Sequence, residues 1–458
     1  MASSHTLDMT TGSITKKVIS FTLPVLCTLL LQQLYTIADK AVVGQFASNG
    51  MQALAAVGAT SSIVAMCLNF TSGLAAAVNV RCANLKGSRD EQTLRKSMHT
   101  SVLVSVVLGL LCGGLIMLLS RPLLRLLDTP EELIDLSDRY LKIYMAGLPA
   151  TVIYNFGAGI LRAYGDTKRP MYILLITGFV NVVLNLIFVL AFDMSVEGVA
   201  LSTLIAQIIS AVWVLIILFA PKDNYKLTFG ELQIHGKSVK EILRLGIPGG
   251  FNGMMFSLAN MVLQASVNSF QDTAIIAGKA AAMDAGELVS QIQYAFGIAC
   301  LSFAGQCYGA GNFKRIDKML LKSIPLCCVM MSVATTVYTV FPGFVIGIFN
   351  SDPAVVAAGK NLLIMTTWGY LLFAVSQLFY NASRGMGASI GITMMNMISI
   401  ILPRLIWVWV FFPMKHDIVW LYVCYPVSWF ISAVTQGFYY VYYRKKAEQK
   451  MIKKISVH

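Results

Sequence analysis

Twelve stretches of mostly apolar residues, each long enough to cross a bilayer, follow one another along the chain, and this constrains the fold more than any other feature. A spanning α-helix needs ~20 such residues, because the hydrocarbon core offers no partner to an open backbone. The stretches run roughly over 17–46, 53–80, 96–120, 138–161, 170–192, 196–220, 241–270, 275–303, 318–346, 357–383, 390–412 and 417–443. None alternates as amphipathic strands do, which excludes an outer-membrane barrel. The fold class expected is an all-α integral membrane protein of twelve transmembrane helices. Composition agrees: 57% of the 458 residues are hydrophobic and 12% are charged, against ~45–50% and ~25% in soluble domains. A soluble enzyme, a disordered chain and a nucleic-acid reader are excluded. The net charge of +13 reads instead as basic loops facing anionic lipid and the cell interior, so the bilayer is a partner and nucleic acid is not.

The basic residues also set the orientation. With the N-terminus inside, the inner side holds 26 Lys and Arg, among them Lys16, Lys17, Arg81, Lys86, Lys222, Lys226, Lys314, Arg315 and the tail from Arg444 to Lys454. The outer side holds 6: Arg121, Arg125, Arg139, Lys142, Lys360 and Lys415. Both termini are therefore expected in the cytoplasm, in a multi-pass protein of the cell membrane. The polar opening MASSHTLDMTTGSITKK shows no cleavable signal peptide. The acidic stretch LLDTPEELIDLSDRY between spans three and four reads as a short amphipathic interfacial helix on the outer face. Nine scattered cysteines form no CxxC pair and no Cys/His cluster, so no metal site can be read.

The two halves repeat one design. Pro24 in SFTLPVL and Pro248 in RLGIPGG are 224 residues apart, as are Phe46 and Phe270, and Gly87 and Gly311. Arg162 and Arg384, and Gly165 and Gly387, are 222 apart. The expectation is an N-terminal lobe over 1–225 and a C-terminal lobe over 226–458, each of six spans. An even number of spans makes the repeats parallel, a transporter architecture.

Here the chain resembles the multidrug and toxic compound extrusion (MATE) family. The resemblance is carried by IADKAVVGQF at the end of span one, LRAYGDTKRP after span four, NVVLN opening span five, GVALSTLIAQ in span six and YGAGNFKR after span eight. It implies a V-shaped pair of lobes and alternating access. The implied activity is export of organic cations or similar amphiphiles, driven by entry of Na⁺ or H⁺. A monomer is expected, with no cofactor beyond the coupling ion, Na⁺ or H⁺.

Ionisable side chains inside a bilayer are costly and mark function by default. Those within the spans are Asp39, Lys40, Lys279, Asp284, Glu287 and Arg404. Asp39 is the candidate coupling acid, since a carboxylate in a low-dielectric cavity holds a proton or, aided by neutral oxygens, a hard cation. Asn181 and Asn185, four apart on span five, share one face, and Thr203 adds a hydroxyl. The family resemblance gives these four positions the cation site of the N-terminal lobe, and gives Gln32, Tyr35 and Asn155 the drug cavity. Some archaeal relatives carry an acid where this chain has Asn185, which leaves Na⁺ affinity open. Pro24, fifteen residues before Asp39, permits a bend in span one. Lys40 either snorkels to the outer interface or pairs with Asp39.

In the second half the position matching Asp39 is Leu263, with Gln264 beside it. The lack of a span-seven carboxylate favours the DinF-like over the NorM-like branch. Asp284, Glu287 and Arg404 are read as a C-lobe charge cluster, in which a Glu287–Arg404 pair would be structural as readily as functional. No phosphate-cradling loop and no Ser/His/Asp arrangement appears, so neither ATP-driven transport nor an enzyme is expected. The alternatives are a flippase for lipid-linked saccharides and a non-transporting scaffold or receptor.

Overall fold

The computed structural model describes residues 6–46, 50–220, 225 and 227–455. Lys222 and Lys226 of the linker, and the side chains of Lys40 and Lys454, lie outside the described residues. The first half is built from α1 (Ile14–Phe46), α2 (Gly50–Gly87), α3 (Glu91–Leu126), α4 (Glu131–Ala146), α5 (Leu148–Ala163), α6 (Lys168–Leu186) and α7 (Val196–Phe219). The second half is α8 (Gly236–Asn268), α9 (Thr273–Gly309), α10 (Phe313–Val340), α11 (Pro342–Gly347), α12 (Pro353–Thr367), α13 (Gly369–Gly385), α14 (Ile390–Asn396), α15 (Leu402–Ile406), α16 (Ile418–Tyr422) and α17 (Cys424–Ile455). Described residues outside helices are turns and connections; none is in a strand.

Among the described residues nine helices are long and apolar enough to cross a membrane, and two bent pairs, α4–α5 and α12–α13, bring this to eleven. The twelfth expected span is α8. Its 33 residues extend ~50 Å at 1.5 Å per residue, but Lys237, Lys240, Glu241 and Arg244 occupy its opening turns and Asn252, Asn260 and Gln264 recur beyond them. Large apolar side chains cover the outside: Leu110, Leu111, Leu115 and Leu118 of α3 are all exposed, as a lipid-facing surface requires. The chain is a multi-pass membrane protein.

Helix starts outside the spans follow short polar side chains. Asp90 accepts from the Thr93 amide, Asn312 from Arg315, Asp352 from Ala354 and Asp417 from Trp420. Each satisfies a backbone donor that the first turn leaves open.

The repeat is visible in backbone geometry. The bent pairs turn by 41° and 46°, at the breaks left by Gly147 and Trp368, which are 221 positions apart. The two loop glycines Gly165 (φ +82°) and Gly387 (φ +91°) are both left-handed, a conformation that costs a side-chain-bearing residue ~1–2 kcal/mol. The equivalence expected between Gly87 and Gly311 is shifted. The left-handed residue opposite Gly311 (φ 71°) is Arg89 (φ 57°), again 222 away, and the caps Asp90 and Asn312 keep that spacing. The second half is therefore two residues shorter than the first between the proline of its opening helix and this turn.

The acidic stretch between spans three and four is also corrected. It is no separate interfacial helix; from Glu131 on it forms the opening turns of α4, which leads through the bend into α5. Asp138 is the reason. It is 3% exposed and is held by Ser120, by Arg121 Nε at 3.1 Å and by Lys142 Nζ at 2.8 Å, which ties α4 to α3.

By packing, residues 1–7 and 27–250 form one unit, and 8–26 and 251–458 form the other. The division falls two residues past Pro24 and two past Pro248, both inside helices, rather than in the linker at 225/226. In the first unit α5 is central, against α2, α3 and α7; in the second α13 is central, against α9, α10 and α17. The core of the first unit joins Leu74, Val78, Leu94, Met98, Phe156, Ile160, Val214 and Leu218. Glycines let these helices approach closely: a Cβ on Gly157 would stand 2.6 Å from Val214, and one on Gly159 2.9 Å from the carbonyl of Ala75. This small-residue contact is the packing rule of membrane helices.

Candidate functional site

The polar residues of the first unit gather where α6 and α7 pack. Thr177, Asn181 and Asn185 lie at i, i+4 and i+8 on α6 and so form one row. Each meets a hydroxyl of α7. Ser210 Oγ donates to Thr177 Oγ1 at 3.0 Å, Asn181 Nδ2 donates to Thr203 Oγ1 at 3.3 Å, and Ser202 Oγ donates to Asn185 Oδ1. Thr203 in turn donates to the Val199 carbonyl at 2.9 Å. Asn185 and Ser202 are fully buried, and Asn181 nearly so.

The ladder ends on α1. Asn185 Nδ2 donates to Asp39 Oδ1, so one amide bridges the carboxylate to Ser202. Asp39 is half-buried. Beneath it lies an apolar cluster of Val42, Val43, Ala53, Ala56, Val189, Val196, Val199 and Ala200. Tyr140 and Tyr144 of α4, rings 5.9 Å apart, are within electrostatic reach of Asp39. Two residues past Asn185 the α6 backbone widens into a π-turn over Ile187–Ala191, closed by the Phe192 amide on the Ile187 carbonyl. Such turns occur often at functional positions.

Tyr35 fixes how α1 approaches α6. Its hydroxyl donates to the Leu175 carbonyl at 3.1 Å, and its ring lies so close over Gly178 that a Cβ there would stand 1.8 Å from Cε2. Gln32 is exposed on α1, and Asn155 is half-buried on α5. Pro24 lies inside the continuous helix α1 and belongs by packing to the second unit, while Asp39 belongs to the first.

The second unit brings its charges together differently. Leu263, at the position matching Asp39, is 2% exposed. Lys279 Nζ donates to Gln264 Oε1 at 2.8 Å, and Glu287 accepts from Gln291 Nε2 at 2.9 Å. Asp284 is exposed on α9. Arg404 is 1% exposed; its Nε donates to Ser428 Oγ at 3.1 Å and its Nη1 faces Asn260 Oδ1 at 3.5 Å. Glu287 and Arg404 do not pair.

Sequence reasoning reached Asp39, Asn181, Asn185 and Thr203, and the structure joins Asn181 to Thr203 and Asn185 to Asp39. It missed Ser202, Thr177, Ser210, Tyr140 and Tyr144. The signals were present: Thr177 extends the four-residue row of the two asparagines, Tyr140 and Tyr144 share a helix face, and Ser202 sits beside Thr203. Among the described residues no group of three or more His, Cys, Asp or Glu could hold a metal ion.

Comparison with known proteins gives a consistent picture. The MatE family model matches twice, over residues 24–187 and 248–410, with starts 224 residues apart. The chain is 29% identical to the probable multidrug resistance protein YpnP of Bacillus subtilis (strain 168) over 394 residues, 86% of this chain and 87% of that protein. It is 22% identical to the multidrug export protein MepA of Staphylococcus aureus (strain N315), over 85% of this chain and 86% of that one. Among solved structures, an outward-facing multidrug resistance MATE family transporter of the MOP superfamily superposes with a TM-score of 0.91 at 19% identity, covering 98% of this chain and 100% of that one.

Proposed function

The chain belongs to the MATE family, and from that premise we propose that it is a secondary active exporter of amphiphilic and cationic small molecules, driven by inward flow of a monovalent cation, H⁺ or Na⁺, through Asp39. The observation that carries this reading is the bridge from the Asp39 carboxylate through Asn185 to Ser202, beside the Asn181–Thr203 pair. One carboxylate among neutral oxygens suits a singly charged ion, which brings the site to neutrality without a second acid. The amide and hydroxyls supply the remaining oxygens, and the apolar cluster around them keeps the local dielectric low.

Coupling follows from differential affinity. An ion bound to Asp39 removes a charge that constrains how α1 packs, so ion-bound and ion-free proteins favour different conformations. If substrate prefers the ion-free one, each ligand weakens the other's binding by the same factor. Asn155, Gln32 and Tyr35 would then line the substrate's path. The protein would work in the cell membrane as a monomer, with both termini in the cytoplasm.

The test is flux in proteoliposomes with Na⁺ and pH gradients imposed separately. Export of a fluorescent cation such as ethidium is expected under one of them and absent in Asp39→Asn, with that variant present in the membrane at parental level. Gradient-driven export by Asp39→Asn would sink the proposal. A parallel titration reads the coupling directly: dye affinity for the purified protein should fall as the coupling ion is added.

A further inference from the structure

The second unit buries an arginine whose binding capacity the chain does not use. Arg404 is 1% exposed. Its guanidinium is caged by three aromatic rings, with Tyr425 at 4.8 Å, Phe256 at 5.4 Å and Trp429 at 5.8 Å from Cζ to the ring centroid. Its hydrogen-bond partners are neutral: Ser428 on Nε and, at the long limit, Asn260 on Nη1. Nη2 is buried and makes no hydrogen bond among the described residues.

A second donor in the cage is in the same state. The indole Nε1 of Trp429, whose ring is one of the three, is buried without a partner. Ser432 Oγ, three residues on along α17, is buried without one too. Both nitrogen groups are pure donors. An oxygen acceptor would satisfy them, and an anionic one would also neutralise the arginine. A second buried cation, Lys279, lies within electrostatic reach of Cys424, as Arg404 does, and its ammonium is held by Gln264, a neutral group. Glu287 is committed to Gln291, and no carboxylate reaches Arg404 among the described residues.

Rings over a guanidinium stabilise its charge, which explains how the charge is tolerated but leaves its forked edge unoccupied. Planar guanidinium edges match phosphate and carboxylate bidentately. Trp429 is already stacked on Phe373, so it is the half-buried ring of Phe256 that offers a face to an apolar body. The cage is reached from α8, where Phe256 and Asn260 are half-buried while Arg404, Tyr425 and Trp429 are buried.

We propose that the Arg404 cage of the second unit is a binding site for the phosphate or carboxylate head of an anionic amphiphile, held by Arg404 Nη2 and Trp429 Nε1 with its apolar body against Phe256. The head group belongs either to a soluble solute or to an anionic lipid. The inference rests on the transport reading only for its consequence, that exported solutes include compounds bearing a negative charge.

The experiment measures binding of 1-naphthyl phosphate, against uncharged 1-naphthol, to the full-length protein in phosphatidylcholine nanodiscs, with empty discs subtracted. The parent should bind the phosphate at least about tenfold better than the alcohol, and Arg404→Gln should lose that preference. Because Arg404→Gln empties a buried site and can misfold, Asn260→Asp is the second variant. It sets a carboxylate 3.5 Å from Nη1, at a half-buried position, and should abolish phosphate binding while the unfolding temperature holds or rises. Repeating the parent in phosphatidylglycerol discs separates the sources. Naphthyl phosphate displaced there identifies a lipid head group; binding retained identifies a soluble anion. Asp39→Asn discs should bind the phosphate like the parent although export is lost, so this site and the coupling site fail independently. Equal binding of phosphate and alcohol by the parent, or a preference that survives Asn260→Asp, would overturn the proposal.

Discussion

Replacing Gly178 by alanine tests whether one ring sets the distance between Asp39 and its amide partner. A Cβ at 178 would lie 1.8 Å from Tyr35 Cε2 and 1.9 Å from Cζ, where carbon atoms prefer about 3.5–4.0 Å. The ring cannot simply swing away, because its hydroxyl is tied to the Leu175 carbonyl at 3.1 Å. Overpacking of this kind costs ~1–3 kcal/mol, and losing the hydrogen bond about 1 more. Alanine recovers about 1 kcal/mol in helix propensity. The net expectation is a loss of ~1–3 kcal/mol, against a gain of about 1 if the ring were elsewhere. The assay is the thermal unfolding of the purified protein, for Gly178→Ala in the parent and in a Tyr35→Ala background. It should lower the unfolding temperature in the parent and raise it when the ring is gone. Since Tyr35 and Asp39 share α1, and Gly178 and Asn185 share α6, the single variant should also blunt the ion dependence of transport. A rise in unfolding temperature in both backgrounds would refute the reasoning.

Three further outcomes follow from the same geometry. Ser202→Ala strips Asn185 Oδ1 of its hydroxyl donor and should weaken coupling-ion affinity about two- to tenfold, read as a shift in the ion titration of dye release. Gly165→Ala should destabilise more than Gly387→Ala. Both sit at positive φ, but a Cβ on Gly165 meets the Leu7 carbonyl at 2.4 Å while one on Gly387 meets nothing within 4 Å, so the second pays only ~1–2 kcal/mol of backbone strain. Asp90→Ala removes the cap of α3, worth ~1 kcal/mol. The Thr93 amide and hydroxyl hold the Asp90 carboxyl below its usual range, so the cap contributes fully above the unfolded value near ~4 and is lost as pH falls through the lower folded one. Chemical unfolding of parent and variant should therefore differ equally at neutral and mildly acidic pH and converge in stronger acid.

The spans were legible because a bilayer imposes length and apolarity together, and eleven of the expected twelve appear as helices or bent pairs of that kind. The exception shows the limit: α8 is long enough, but its asparagines and basic opening dilute the signal. The proposed coupling acid was legible because a carboxylate such as Asp39 is expensive inside a membrane span. Thr177 and Ser202 were not, because a serine or threonine in a membrane helix can satisfy itself on its own backbone, as Thr177 does on Ile173 at 2.9 Å; spacing alone does not say which hydroxyls also reach a neighbour. Nor does sequence reveal that Asp138 ties α4 to α3, since that depends on Ser120 and Arg121, some seventeen residues earlier.

The duplication itself separates backbone requirements from chemistry. Backbone features recur in both halves at nearly one spacing: the bends at Gly147 and Trp368, the left-handed turns at Gly165 and Gly387, the caps Asp90 and Asn312. Each serves the path of the chain, and a fold built twice needs it twice. Buried hydroxyls repeat as well, Thr177 with Ser399 and Ser210 with Ser432 at the same spacing of 222, but the charged groups do not. Asp39 is answered by Leu263, and the stretch of span five around Asn181 by that around Arg404, since 181 + 222 = 403. A side chain needed only to stabilise this backbone would face the same demand in both halves and would tend toward the same residue type. An acid in one half and a base in the other, on closely similar helical frameworks, are better explained by what each half binds than by how each half folds.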